Sequence, residues 1–310
     1  MNEPAIAPVA AATPAAVNQS SRRLLIVVAW TAMLLLSKFP LVIAREVLHT
    51  DIPWITAAWI VTAALLVALS FIWRALQPLR TFFAIMMIIF LVTLPFDQLM
   101  KQTAVWQRLF ADGSSLVTLL GERTLIALEA LIVLAALFLM GYKRRAVFLA
   151  VGDLNAPAAG IRLPGRARPV GWIAFGAAMT LLLGALFFAF MASQTPGLFS
   201  GSGALLGLLP LILASAALNA FGEEVMYRAA PLATLLPAVG SGHALAITAV
   251  FFGLGHWYGG IPSGIFGFVQ TGLLALLLGK AMLDTRGMGW SWFIHVVLDT
   301  IIYLSLAAAS

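Results

Sequence analysis

FGEEVMYRAAP, residues 221–231, sets two adjacent glutamates and an arginine into a chain that otherwise reads as oil. Between Arg168 and Lys280, the only formally charged side chains are Glu223, Glu224 and Arg228. Whether this island lies in a soluble core or in lipid decides the fold. Composition answers for lipid: of 310 residues 62% are hydrophobic and 10% charged, and the mean hydropathy is +1.02. A soluble domain carries roughly 25% charged residues, and one globule of this length cannot hide so much apolar surface. The expected fold class is all-α, a polytopic transmembrane helix bundle.

A span needs about 20 mostly apolar residues. Nine segments qualify, at roughly 24–44, 52–73, 81–96, 124–142, 170–192, 204–230, 241–258, 261–283 and 288–308, and the count falls to eight if one early span fails. Residues 1–23 form an Ala/Pro-rich tail, read as disordered. Residues 24–142 hold accessory spans, and 143–169 a basic loop with Lys143, Arg144, Arg145, Arg162, Arg166 and Arg168 against Asp153 alone. Residues 170–310 hold the remaining spans. Because basic loops stay inside, this loop and the N-terminus are expected in the cytoplasm, with 97–123 as a polar outer loop. The formal charge of +6 is spent between apolar runs, which argues for a bilayer and against nucleic acid as the partner. The absence of cysteine excludes disulfides, thiolate catalysis and Cys-ligated zinc.

An ionised side chain at the bilayer centre costs roughly 2.5–3.5 kcal/mol on insertion scales, so such groups face protein or a wet cavity. Glu224 and Arg228 stand four apart on one helical face, acid before base, and taken alone are equally well a structural ion pair. That pairing leaves Glu223, whose direction differs by about 100°, as a candidate general base. In FFGLGHW, Phe252 and His256 stand four apart; in FIHVVLDT, His295 and Asp299 do the same. Each histidine alone is more often a satisfied core residue than a catalyst. Three helices carrying polar residues in a charge-poor half are harder to explain so. His243 and His49 read as solvent-facing. Counting along vertical spans puts Glu223 toward the cytoplasmic end and His256 nearer the middle of the membrane, with Pro210, Pro231 and Pro237 marking starts, ends or bends.

Glu223-Glu224-x-x-x-Arg228, Phe252-x-x-x-His256 and His295-x-x-x-Asp299, in this order, resemble the CAAX prenyl protease and bacteriocin-processing (CPBP, or Abi) family over roughly residues 205–305. The resemblance implies an intramembrane endopeptidase with a CAAX-protease-like C-terminal core. Glu223 would activate a water and His256 would hold it. Glu224 and Arg228 would orient the motif helix beside Phe252, and His295 with Asp299 would serve the oxyanion. Two positions depart from the common pattern. Ala229 stands where many members have Gly, and Asp299 where CAAX endopeptidases typically have Asn. An ionised Asp cannot donate to an oxyanion.

Asp299 keeps a metal reading open, since Glu223, His256, His295 and Asp299 form a donor set suited to zinc; a metal-free glutamate mechanism is favoured. A proton- or cation-coupled transporter, and a non-catalytic immunity or scaffold protein, are the rival functions. The expected substrate is a membrane-associated peptide or protein, and the expected location is the bacterial cytoplasmic membrane.

Overall fold

The computed structural model describes residues 19–162, 164, 165, 167–194 and 202–309. The expected disordered tail therefore lies mostly outside the described residues, while its residues 19–23 are helical. Among the described residues all regular structure is helical, apart from one isolated bridge between Pro157 and Gly171. The helices are α1 (Gln19–Leu35), α2 (Phe39–Val42), α3 (Ile55–Ile72), α4 (Arg80–Leu91), α5 (Asp97–Lys101), α6 (Ala104–Trp106) and α7 (Ser115–Leu139). They continue with α8 (Trp172–Gln194), α9 (Ser202–Glu223), α10 (Ala230–Val239), α11 (Ser241–Gly255), α12 (Gly264–Thr285) and α13 (Gly289–Ala309).

Leu65, Ile72, Leu181, Leu186, Phe266 and Leu273 stand exposed on helices α3, α8 and α12. Apolar side chains turned outward along whole helices are what a lipid solvent requires, since helices satisfy their own backbone groups there. The chain is an integral membrane protein. Six helical runs among the described residues are long and apolar enough to cross a bilayer, and a seventh results if α1 and the bent segment Phe39–Val47, 56° off its axis, count as one span. The expected count of eight to nine is thus approximate. The candidate at 124–142 belongs to α7, a 25-residue helix that carries Glu122, Arg123 and Glu129. The candidate at 241–258 yields only the 15 residues of α11, roughly 22 Å of rise against a hydrocarbon core of about 30 Å. The polar outer loop expected at 97–123 is also largely helical, containing α5, α6 and the first turns of α7.

Helix α7 packs along α9, α9 along α13, and α13 along α8; α11 lies against α12 and α10. The largest apolar core joins α1, α4, α7 and α10 through Met33, Phe83, Val133 and Leu235. The accessory N-terminal helices are therefore packed directly on the elements that carry the motifs.

Candidate functional site

The run Leu205–Val239 is continuous, and Pro231 does not end it. A proline has no N–H for the carbonyl four residues back, and its ring collides with that carbonyl in an α-helix. Just before Pro231, Glu224–Ala229 is a π-helical turn, and α10 follows with Pro231 in its first turn. Glu223 is thus the last residue of α9 and Glu224 the first of the wide turn.

This turn separates the two glutamates. Glu224 is fully buried, and its carboxylate accepts from Arg228 Nη1 at 2.5 Å and from the Ser291 hydroxyl, and meets His295 Nδ1 at 2.7 Å. The Glu223 side chain keeps 20% exposure, with Oε2 3.5 Å from His295 Nε2. On its other side His295 Nε2 is 3.7 Å from Asp299 Oδ2. Both ring nitrogens of His295 therefore face carboxylates, from α9, its π turn and α13.

His256 reaches the same place by a reversal of the chain. Gly240, at φ +83°, turns α10 directly into α11. Glu223 lies 17 residues before Gly240 and His256 lies 16 after it, so two antiparallel helical arms of nearly equal rise bring them level. The vertical count that set them at different depths fails because it ended the motif helix near Pro231. The His256 ring stacks on Phe252 at 4.5 Å between centroids and lies within electrostatic reach of Glu223. Its Nδ1 is 3.0 Å from the Phe252 carbonyl oxygen. A carbonyl only accepts, so Nδ1 carries the proton and donates, leaving Nε2 as the ring's acceptor.

Phe252 is the hinge of the constellation. The Arg228 guanidinium lies 4.1 Å from its ring centroid, the His256 ring lies against it, and the His295 ring meets it edge-on at 6.3 Å. Arg228 Nε and Nη2 are buried without a hydrogen-bond acceptor among the described residues, and the electron-rich ring face offsets part of that deficit. Glu223, Glu224, Arg228, Phe252, His256, His295 and Asp299 are thus all brought together. His243 and His49 stand apart on exposed positions; His243 Nδ1 accepts from Trp30 Nε1 at 3.2 Å.

Several residues of the cluster were missed from sequence. Asn219 Nδ2 donates to Asp299 Oδ2 at 2.8 Å, and the Ser291 hydroxyl donates to Glu224. Both had a signal: Asn219 stands four before Glu223 and Ser291 four before His295, so each shares a helical face with a motif residue. Arg123, from α7, lies 5.6 Å over the Tyr303 ring and within electrostatic reach of Asp299. Lys38, in the break between α1 and α2, donates to the Gly255 carbonyl at 2.7 Å and so places a cation at the C-terminus of α11 beside His256. Beyond it, the Tyr258 hydroxyl donates to Glu46 at 2.9 Å, and Arg45 pairs with Asp51 at 2.8 Å, whose carboxyl the guanidinium holds below the usual range. No sequence spacing reveals the contacts of Arg123, Lys38 and Tyr258, which join distant parts of the chain.

Among the described residues no three of His, Cys, Asp and Glu are grouped so as to hold a metal ion. His295 Nδ1 and one Glu224 oxygen already face one another.

No curated protein and no solved structure matches this chain. A family model does: residues 204–301 match the type II CAAX prenyl endopeptidase Rce1-like model. That segment spans every residue of the three motifs, from Glu223 to Asp299. Residues 204–301 of this membrane protein are therefore similar to an Rce1-like CAAX prenyl endopeptidase domain, which is consistent with a CPBP-family intramembrane protease.

Proposed function

We propose that the protein is an intramembrane endopeptidase that uses Glu223 to activate water against a peptide bond of a membrane-associated peptide or protein. The observation that carries this reading is the inequality of the two glutamates: Glu224 is closed off by Arg228, Ser291 and His295, while Glu223 keeps access beside two imidazoles. His256 Nε2 accepts a hydrogen bond from the water, whose other proton goes to Glu223 as the oxygen attacks the carbonyl carbon. Glu223 then returns that proton to the leaving amine, so base and acid are one group. His295 supplies a donor for the oxyanion. Asp299 accepts from Asn219 and faces His295, which makes it an orienting acceptor and gives the Asp-for-Asn difference a place in the site. The mechanism is metal-free, so dialysis against a chelator leaves the rate unchanged. The location is a bacterial cytoplasmic membrane, with the N-terminus and the basic loop inside.

The deciding experiment compares membrane-peptide profiles of cells carrying the wild-type chain or Glu223→Gln. Hydrolysis predicts peptides that disappear in the variant while the protein itself is retained. Changed ion flux with no lost product would point to transport, and no difference at all to a scaffold.

Gly260 offers a separate check on His256. Its φ is +104°, and a Cβ there would stand 2.6 Å from His256 Cδ2. Gly260→Ala therefore carries both backbone strain and a collision with the ring. Displacing a positioned group by about 1 Å costs on the order of 100-fold in rate. Gly260→Ala should lower cleavage by roughly that factor, and unchanged cleavage would detach His256 from the reaction.

A further inference from the structure

Two cavities adjoin on the side of the molecule that carries the basic loop. One, of about 810 Å³, is walled by Arg144, Arg145 and Arg286, with Asp153 as its one acid. The other, of about 470 Å³, is apolar apart from Arg144 and runs along Leu149, Phe221, Met288 and Trp292. They share Arg144, Ala150 and Val151. A charged chamber that opens into a greasy one has the polarity of an amphiphile.

The walls are built and not a chance meeting of loops. The Met288 and Gly289 amides donate to the Ala150 and Val151 carbonyls at 2.9 and 3.1 Å, and the Asp153 amide to Thr285 at 2.8 Å. Gly152, at φ +83°, allows this approach, since a Cβ there would lie 2.6 Å from the Thr285 carbonyl oxygen. The connector after α7 is thus laced to the turn between α12 and α13, which fixes Arg144 and Arg145 opposite Arg286. Arg144 Nε donates to the Leu149 carbonyl, which sets the side chain over the seam. Among the described residues none of the three arginines makes an ion pair, while Asp153 accepts from the Asn155 amide.

We infer that this seam binds one anionic phospholipid, with its phosphate among Arg144, Arg145 and Arg286 and an acyl chain against Phe221 and Trp292. Guanidinium forks match phosphate oxygens two at a time, and basic clusters beside spanning helices draw anionic lipid from the bilayer. The apolar chamber is walled by Phe221 of α9 and Trp292 of α13, both on runs apolar enough to cross a bilayer, and Val151 in its wall is an exposed apolar side chain of the kind a lipid covers. Phe221 stands two residues before Glu223, so the chain of a bound lipid lies against the motif helix. Binding does not depend on whether that helix performs hydrolysis.

The test is native mass spectrometry of the full chain, released from vesicles of phosphatidylglycerol or of phosphatidylcholine. One phosphatidylglycerol should be retained in preference to phosphatidylcholine. The pair Arg145→Gln with Arg286→Asn, where Asn suits the left-handed backbone at φ +56°, removes two charges and should lower retention about 30-fold. Val151→Asp, at an exposed position of the shared wall, should cause a comparable loss by repelling the phosphate, and it decides the matter if the arginine pair fails to fold. Millimolar inorganic phosphate should not displace the lipid, because it cannot fill the apolar chamber. Equal retention of the two lipids, unchanged retention in the variants, or displacement by phosphate would each overturn the inference.

Discussion

Glu223→Gln should lower the rate of peptide-bond cleavage about 100- to 10,000-fold while the unfolding midpoint in detergent stays where it was. The first half follows from chemistry. Glutamine keeps the size of the side chain and removes its ability to take a proton, and a positioned base contributes a factor of this order. At 1.36 kcal/mol per decade the loss is about 3–5 kcal/mol of transition-state stabilisation. The second half follows from structure. Glu223 is the one acid of the pair that keeps solvent access, and its contact to His295 is long, 3.5 Å. An amide oxygen at the same place faces the same nitrogen. His256→Gln should also slow cleavage, and the double variant should fall little below Glu223→Gln alone, because two groups serving one water act as a unit. If Glu223→Gln cleaves at the wild-type rate, the general-base assignment is wrong, whatever the fold is.

Glu224→Gln should give the opposite pattern, which makes the neighbours a useful contrast. Its carboxylate holds Arg228, Ser291 and His295 together, so its replacement should reduce the amount of folded protein before it reduces the activity of what folds. The sequence already distinguishes these adjacent residues, through the 100° between them on a helix and the arginine one turn beyond Glu224. It does not show how completely the distinction is built. The π turn that closes Glu224 in and leaves Glu223 at its rim stands directly before Pro231, and proline alone reads equally well as a helix end.

The same proline explains which part of the site was legible and which was not. The motif residues are readable because intramembrane polar groups are costly and their i, i+4 spacing survives on any helix. Their meeting was harder to foresee, since it depends on two helical arms folding about Gly240, and the early end assigned to the motif helix hid that symmetry. The span count is approximate for a related reason. Hydropathy sees α11 as a span, while its length is set by where Gly240 and His256 must lie. Charges of α7 lie inside the bundle: Glu129, within the expected span 124–142, is 2% exposed, and Arg123, at the end of the expected outer loop, faces Tyr303 and Asp299. Contacts of this kind join residues more than a hundred positions apart, so no local pattern carries them.

The largest effect on stability should come from Arg228. Its guanidinium has no exposure, binds Glu224 at 2.5 Å and lies on the Phe252 ring. Arg228→Met keeps most of the volume and leaves the Glu224 carboxylate buried without its cation. Breaking a buried pair from one side costs about 3–5 kcal/mol, because the remaining charge is uncompensated. Adding Glu224→Gln to Arg228→Met should recover a large part of that loss, since replacing both members removes the stranded charge; a double-mutant cycle on unfolding in detergent measures the coupling. Arg228→Lys separates charge from shape. An ammonium satisfies the carboxylate, yet it has no planar face to lay on Phe252, so this variant should fold better than Arg228→Met and still cleave more slowly than wild type, because Phe252 also carries the His256 ring. If Arg228→Met unfolds at the wild-type midpoint, the ion pair does not hold the motif helix, and the closure of Glu224 that singles out Glu223 has another cause.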